Sequence, residues 1–413
     1  MGGNSLLTGL GSTTSEVMGA PEGAMMPSEI ATVMPPATPD LSLNPPRATV
    51  ALGDQFSCAL RRGKVFCWGA NGSGELGVPG EEARSRPVEV PGLSGVVALT
   101  AARSHAGALH ADGTVSCWGD GGFGRVSAVP TDVERQGPTR VVGVSDVVQL
   151  ALAENHSCVL RRDGSVWCWG RNRLGELGDG NIVQGAYEAS PAVRVPGIGS
   201  ASSIAAFGSL TAAIVEGDVY YWGAGAYRVA NRGGSGHIPI QPVTPEELGP
   251  RRIEGLSGIM RISLHRHHGY ALTTDGRVLG FGAAQKIHQA DRPEPRVQTV
   301  PGVWPIFEVE GLGAVAEVVA GAGHGCARLR DGTVRCWGAD PSMPGAGIRG
   351  DGQHGYELPP SSLALRADEI AGGPGHVAAR VGHRVLTWGT GWAGQLGTGD
   401  TESRNTPEAV QFP

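Results

Sequence analysis

The stretch VVQLALAENHSCVLRRDGSVWCWG, residues 147–170, contains the pattern that decides the fold. An apolar run from Val147 to Ala153 leads to a short polar corner, a second run covers Ser157 to Leu160, and a third covers Ser165 to Gly170. An Asp-Gly turn separates the second run from the third. Short apolar runs bounded by turn residues are typical of β-strands, so the stretch predicts three antiparallel strands of one small sheet.

The same order recurs along the whole chain after residue 46. A Trp-Gly dipeptide ends the third run, and successive units are 50 to 59 residues apart. A fourth strand is expected later in each unit, as in residues 86–92, 191–197 and 406–412. The recurring aromatic residues are Trp68, Trp118, Trp169, Trp222, Phe281, Trp337 and Trp388. The chain therefore contains seven repeats of about four short strands.

A closed ring is the geometry that suits such repeats. With 67 Gly and 29 Pro among 413 residues, the composition argues against a helical bundle and favours short strands with tight turns. One small sheet cannot bury both of its faces, whereas sheets stacked around an axis cover one another. A linear β-solenoid is the competing geometry, but its coils are normally shorter than about 50 residues. We therefore predict an all-β fold, a seven-bladed β-propeller of four-stranded antiparallel blades, over residues 47–413.

Residues 1–46 differ from the rest of the chain. They contain no Lys, Arg or His and are rich in Gly, Ser, Thr, Pro and Met, which predicts a disordered tail. A secretory signal needs a basic start and an apolar core of about 7 to 15 residues, and SLLTGLG (5–11) is too short. No apolar run of 18 residues occurs, so we expect no membrane-spanning helix.

Three pairs of cysteines flank the turn between the second and third strands. If Cys158 and Cys168 face each other, the hairpin loop has three residues, 162–164, and Gly164 supplies the left-handed conformation that such loops need. Cys326 and Cys336 repeat this spacing. In the first repeat the cysteines, Cys58 and Cys67, are one residue closer and the turn is one residue shorter, Arg62-Gly63. The change in spacing preserves the opposed register of the sulfurs.

Opposed cysteines in a hairpin are close enough to form disulfides, since directly opposed Cα atoms lie about 4.5 to 5.5 Å apart. Packing of small buried residues is the alternative, but cysteines occur in pairs except at Cys117. Zinc sites use about two to four residues between sulfurs and need further ligands. We predict three disulfides and, because disulfides persist outside the reducing cytosol, an extracellular or periplasmic location. A cytoplasmic location is the alternative, because no export signal is visible.

The loop after the third strand carries a resemblance to a known family. The segments NGSGELG (71–77), NRLGELGDG (172–180) and GWAGQLGTGD (391–400), with the His-Ser-Cys and Cys-Trp-Gly strands, resemble the regulator of chromosome condensation repeat family. The resemblance covers residues 47–413 and implies a seven-bladed propeller. Repeats 4, 5 and 6 replace this loop by longer segments. The basic tail that the family uses for chromatin contact has no counterpart in residues 1–46.

Histidines recur at the start of the second strand. Because Phe56 and Leu210 occupy the same position in two repeats, we expect a repeated structural hydrogen bond rather than a catalytic or metal site. The segment HRHH, residues 265–268, is interpreted as a polar contact patch for a protein, since no carboxylate pair accompanies it. The histidines at the repeat position are His105, His156, His268, His324 and His376.

The predicted function is that of a monomeric, protein-binding scaffold. The net charge of -6 and the absence of a basic run argue against nucleic acid, and no catalytic motif is present. We expect no cofactor and no metal. The contact face is expected to use the corners between first and second strands and the insertions of repeats 4 to 6. The candidate contact residues are His265, Arg266, His267, Tyr227 and Trp304.

Two other functions are consistent with the sequence. The first is regulation of a small GTPase by nucleotide exchange, which the family resemblance implies, although no wedge-like hairpin can be matched. The second is a hydrolase or lyase that uses the central funnel, because propellers can assemble a site from several blades.

Overall fold

The computed structural model describes residues 48–128, 135–183, 189–223, 248–265, 268–282, 306–338 and 361–413. Within these ranges, 28 strands form seven four-stranded antiparallel sheets, and the strands of each sheet follow in chain order. This confirms the predicted seven-bladed propeller. The tail predicted for residues 1–46 lies outside the described residues.

Each blade is a meander of four consecutive strands, from the central axis outward. Blades 1 and 2 contain β1 (Val50–Leu52), β2 (Phe56–Arg61), β3 (Lys64–Gly69), β4 (Arg84–Glu89), β5 (Val96–Ala101), β6 (His105–His110), β7 (Val115–Asp120) and β8 (Arg135–Arg140). Blades 3 and 4 contain β9 (Val147–Leu152), β10 (His156–Arg161), β11 (Val166–Gly170), β12 (Ser190–Arg194), β13 (Ala201–Phe207), β14 (Leu210–Val215), β15 (Asp218–Gly223) and β16 (Arg251–Arg252).

The remaining strands complete the ring. Blades 5 and 6 contain β17 (Ile259–His265), β18 (His268–Thr273), β19 (Val278–Gly282), β20 (Ile306–Glu308), β21 (Val315–Ala320), β22 (His324–Leu329), β23 (Thr333–Gly338) and β24 (Ser361–Arg366). Blade 7 contains β25 (Glu369–Gly372), β26 (His376–Val381), β27 (Arg384–Gly389) and β28 (Arg404–Ala409). One turn of 3-10 helix, Gly122–Gly124, follows β7.

The outermost strands begin and end earlier than the sequence indicated. In blade 1 the strand runs from Arg84 to Glu89 rather than over residues 86–92, because the chain turns at Pro91 and Gly92, whose φ is +77°. Pro87 is accepted within β4 because an edge strand has one row of N–H groups that need no partner. The expected ranges 191–197 and 406–412 are likewise replaced by β12 and β28.

The ring closes between blades 7 and 1 without any exchange of strands. β25 of blade 7 packs against β1 of blade 1. Each of these two blades consists of four consecutive strands, so both terminal blades are complete within the described residues. Glu369 seals this junction, since its Oε1 accepts hydrogen bonds from the backbone N–H groups of Thr49 (2.6 Å) and Val50 (3.1 Å). A clasping strand at residues 41–43, which the sequence left open, lies outside the described residues.

The core lies between blades and centres on the aromatic residue of each third strand. All six Trp-Gly tryptophans and Phe281 are at most 1% exposed. Trp118 of blade 2, for example, belongs to one cluster with Phe56 and Leu76 of blade 1. Full burial of a side chain of this size stabilises the fold by about 3 kcal/mol. The Trp-Gly repeat is therefore the means by which each blade attaches to its predecessor.

The disc has two distinct faces. We call corner face the side that carries the corners between first and second strands, residues 53–55, 102–104, 153–155, 208–209, 321–323 and 373–375. The described loops after the third strands of blades 1, 2, 3 and 7 begin there too; in blade 3, for example, Arg171 N donates to Asn155 O at 3.0 Å. We call turn face the opposite side, where the hairpin turns contact the links between blades, as in Arg162 N donating to Asp146 O at 2.8 Å.

Candidate functional site on the corner face

The cysteine pairs have the register that the turns predicted. Cys158 lies opposite Cys168, and the loop between them spans 162–164 with Gly164 at φ +79°. Arg62 and Gly63 form the two-residue loop of blade 1, with φ values of +52° and +77°. The sulfurs lie at disulfide distance in all three pairs: Cys58 and Cys67 (2.06 Å), Cys158 and Cys168 (2.13 Å), Cys326 and Cys336 (2.07 Å). These pairs hold individual blades and leave the corner face to other side chains.

The repeated histidines are buried between blades. His156 Nε2 lies 2.6 Å from Thr211 Oγ1, and His376 Nε2 lies 2.8 Å from Ser57 Oγ, in each case a hydroxyl of the next blade. His105 is fully buried and makes no hydrogen bond to the described residues. The prediction of one identical bond in every blade is therefore wrong. At His105 the equivalent hydroxyl of the next blade, Ser157 Oγ, donates to Arg125 O instead (2.8 Å). The histidines that do bond join blades.

The two described residues of the HRHH segment, His265 and His268, are both buried. His265 is 5% exposed, and its ring lies 4.3 Å from that of Phe207 and 5.3 Å from that of His268. It lines the mouth of the central channel rather than the outer surface. Arg266 and His267 lie outside the described residues, as do Tyr227 and Trp304. The contact roles of these residues stay predictions.

A charged trio lies at the channel mouth on the corner face. Arg103 Nη1 donates to Glu154, and Arg103 Nε lies 3.8 Å from Asp54 Oδ2, so the three groups join blades 1, 2 and 3. The hydrogen bond with Glu154 raises the pKa of Arg103 above its ordinary value. The Arg103 side chain is 55% exposed, so this pairing leaves it accessible to a polar partner.

Phe123 lies between two guanidinium groups beside this trio. The Cζ atoms of Arg125 and Arg171 lie 5.4 Å and 5.2 Å from the centre of its ring, within the range of cation–π attraction. The φ of Phe123 is +59°, a conformation that a residue with a bulky side chain rarely adopts. Such backbone strain persists where surrounding structure enforces it and is often found at functional sites.

Trp392 is an exposed aromatic side chain that the sequence did not single out. Among the described residues, three large apolar side chains are exposed: Val142 (68%), Ile182 (39%) and Trp392 (59%). Trp392 lies in the corner-face loop of blade 7, where Thr390 N donates to Gly375 O at 2.8 Å. Its position in GWAGQLG matches Gly72 in NGSGELG, and this substitution of Trp for Gly was the signal available in the sequence.

The described part of the chain contains neither a metal-binding cluster nor a membrane-spanning helix. No cluster of three or more His, Cys, Asp or Glu side chains there could hold a metal ion. In the same ranges, no helix is long and apolar enough to cross a bilayer.

The repeat in this sequence matches a known protein family. Two forms of the regulator of chromosome condensation (RCC1) repeat match this chain, one at residues 48–75, 147–176 and 315–342 and the other at 62–109 and 383–413. The chain is 26% identical to the ultraviolet-B receptor UVR8 of Arabidopsis thaliana over 388 residues, which cover 89% of this chain and 82% of that protein. It is also 26% identical over 311 residues to the regulator of chromosome condensation of Mus musculus, covering 68% and 69%.

A solved structure supports the fold. The crystal structure of Prp20p from Saccharomyces cerevisiae superposes with a TM-score of 0.69 and 21% identity, covering 86% of this chain and 87% of that one. At this identity the similarity supports the propeller architecture and no more.

Proposed function

The chain belongs to the regulator of chromosome condensation repeat family, and we propose on that premise that it is a binding scaffold whose corner face contacts a protein partner. The observation that carries the proposal is the exposure of Trp392, at 59%, on that face. Tryptophan and arginine are enriched among the residues that dominate interface energies. Trp392 and the exposed Arg103, with Phe123 beside it, together offer aromatic and charged contacts.

The differences between repeats support the choice of face. In sequence, the loops after the third strand differ strongly between repeats, because blades 4, 5 and 6 have longer segments there. Binding residues in repeat proteins commonly lie in such insertions on one face. The Prp20p structure was described together with that protein's binding to Gsp1p and histones, which is consistent with a family that binds proteins.

The test is a comparison of two exposed apolar side chains on opposite faces. We would immobilise the full chain, capture proteins from its native source, and quantify the main partner with Trp392→Ala and Val142→Ala. The proposal expects Trp392→Ala to retain less than a tenth of the partner and Val142→Ala to retain nearly all. Equal capture by all three proteins, or loss only with Val142→Ala, would contradict it.

Nucleotide exchange on a small GTPase is a distinct outcome of the same experiment. If the partner is a GTPase, its rate of nucleotide release is measured with and without the chain. Acceleration would replace the scaffold proposal by an exchange factor, whereas an unchanged rate would leave it intact.

We also propose that the chain works outside the reducing cytosol, with its three cysteine pairs oxidised. Two observations support this proposal. The cysteines of each pair lie directly opposite each other, and the seventh cysteine, Cys117, is buried and belongs to none of the pairs. Alkylation of freshly isolated protein after unfolding is expected to find one free thiol. Seven free thiols would contradict the proposal.

A further inference from the structure

A central channel runs along the propeller axis and is lined by the first strands of all seven blades. Its volume is about 580 Å³, which is within the range of small-molecule sites. Much of the wall is apolar and made of short side chains, among them Ala101, Ala151, Ala205 and Val319. The channel can therefore hold the apolar body of a small ligand.

One position of the first strand recurs as a clamp between neighbouring blades. The residue lies opposite the fifth residue of the second strand, as Gln149 lies opposite Leu160 and Glu317 opposite Arg328. In three blades its side-chain oxygen accepts the backbone N–H of the next blade's first strand. These bonds join Ile204 N to Gln149 (2.8 Å), Ile370 N to Glu317 (3.0 Å) and Val50 N to Glu369 (3.1 Å).

Arg261 occupies the same position in blade 5, opposite Leu272. A guanidinium group has no lone pair with which to accept an N–H, so Arg261 cannot act as this clamp. Ser263 takes over at this junction, since its Oγ accepts the N–H of Ala320 in blade 6 at 2.9 Å. The arginine is therefore not required for joining blades 5 and 6.

Arg261 is also an uncompensated charge. It makes no hydrogen bond and no salt bridge within the described residues, and its Nε is shielded from solvent. Burial lowers the pKa of Arg261 below its ordinary value, while Glu317 raises it from beyond salt-bridge distance. Glu317 is itself already neutralised by Arg328, whose Nε lies 3.1 Å away. A half-buried cation without a partner costs free energy, and a bound anion would offset this cost.

We propose that the channel binds a small organic monocarboxylate, with the carboxylate on Arg261 and an apolar body against the alanine-rich wall. The guanidinium group binds a carboxylate through two parallel hydrogen bonds, and a monocarboxylate adds only one negative charge. A dianion is disfavoured, because Glu317 lies on the neighbouring first strand, β21. Trp392, which carries the corner-face proposal, is not part of the channel wall, so either proposal can fail without the other.

The experiment is calorimetric titration of the full chain with benzoate, benzamide and inorganic phosphate. Benzoate is expected to bind saturably with one site per chain, while benzamide and phosphate bind at least tenfold more weakly. Arg261→Met should lower benzoate affinity at least tenfold, and Arg261→Lys, which keeps the charge, should lower it less. Arg252→Met is the matched control, because Arg252 is paired with Asp218 in blade 4 and is absent from the channel wall, and its benzoate affinity should be unchanged.

A second measurement does not depend on the ligand. If Arg261 is an uncompensated charge, Arg261→Met should raise the melting temperature of the protein without benzoate. A lower melting temperature would show that Arg261 supports the fold and would overturn the proposal. Benzamide binding as tightly as benzoate, or wild-type benzoate affinity in Arg261→Met, would overturn it as well.

Discussion

The junctions between blades fall into two groups that differ at the loop after the third strand. At the junctions 7/1, 1/2 and 2/3, this loop reaches the buried tryptophan of the following blade. The indole N–H donates to a loop carbonyl in each case: Trp68 to Gln395 (2.8 Å), Trp118 to Glu75 (2.9 Å) and Trp169 to Arg125 (2.9 Å). At the junctions 4/5, 5/6 and 6/7 a longer segment replaces this loop in the preceding blade.

In the second group, the buried aromatic residue of the following blade differs from one junction to the next. At junction 4/5 the tryptophan is replaced by Phe281, which has no N–H to satisfy. At junction 5/6 Trp337 donates instead to Tyr270 Oη at 3.0 Å. At junction 6/7 the N–H of Trp388 has no partner in the described part of the chain. The comparison teaches that the hydrogen bond of the buried aromatic residue depends on the loop of the preceding blade: where that loop is replaced, the indole is lost, finds another acceptor or stays without one.

Junction 3/4 is intermediate. The loop of blade 3 is present, but Trp222 Nε1 makes no hydrogen bond within the described residues. The loop contributes packing there, since a Cβ placed on Gly178 would lie 2.6 Å from Trp222 Cδ1.

The largest expected effect comes from breaking a loop clasp directly. Gly397 has φ +69°, and a Cβ there would lie 2.7 Å from Trp68 Nε1. Gly397→Ala should cost about 3 to 4 kcal/mol, the sum of backbone strain and overpacking. Gly382→Ala is the matched control, because Gly382 has φ +58° but nothing within 4 Å, and it should cost only about 1 kcal/mol of strain. Urea unfolding measures both, and equal losses would refute the clasp.

The next effect is acid sensitivity at the 7/1 junction. Burial, followed by the charge of His324, lowers the pKa of His376 to about 3. Below an unfolded pKa of about 6.5 the unfolded chain takes up a proton that the folded chain refuses, so stability falls as pH drops from about 6.5 towards 3. The contribution of His376 at pH 5 is a loss of about 2 kcal/mol.

His376→Gln tests this directly. The loss of stability between pH 7 and pH 5 should shrink by about 2 kcal/mol in this variant, measured by urea unfolding at each pH. His383→Gln, in the exposed turn of the same blade, is the substitution control. A pH dependence as steep as that of the wild type would count against a neutral buried imidazole.

A smaller difference in stability is expected between substitutions of Trp68 and of Trp388. Replacement by Phe removes the same volume at both sites, but only Trp68 loses a hydrogen bond. Trp68→Phe is expected to be less stable than Trp388→Phe by about 1 to 2 kcal/mol. Chemical unfolding of both variants decides this, and a larger loss for Trp388→Phe would reverse the comparison of junctions.

The smallest effect concerns a blade that lacks a cysteine pair. Ala378 and Thr387 lie directly opposite each other, at the cysteine position of blade 7. Ala378→Cys with Thr387→Cys should form a disulfide worth about 2 kcal/mol by loop closure, reduced by about 1 kcal/mol because Thr387 Oγ1 no longer donates to Leu396 O. Thermal unfolding with and without reductant should show a gain only when oxidised, and no difference would contradict the shared register.

Much of the fold could be predicted from local patterns. The Trp-Gly period located every blade, and the turn lengths at 62–63 and 162–164 gave the register of the cysteines, because hairpin loop length fixes which residues face each other. The ends of the outermost strands were misplaced by one to three residues, because edge strands have only one neighbour to define their length.

The candidate site was less accessible to such reasoning. Trp392 and Arg261 were missed, since each is one unusual residue in an otherwise regular repeat. His265, predicted as a possible partner contact, is buried beside Phe207 of the neighbouring blade, and its contact role stays a prediction.

The sequence by itself therefore determined the repeat, the strand register and the cysteine pairing, all of which depend on residues close together in the chain. Tertiary structure decided how the ring closes through Glu369, which indole finds a carbonyl, and which charge is left unpaired in the channel. These features join residues of different blades, up to 327 positions apart for Trp68 and Gln395. Burial and partnership of a side chain are properties of what surrounds it, and only the closed ring supplies those surroundings.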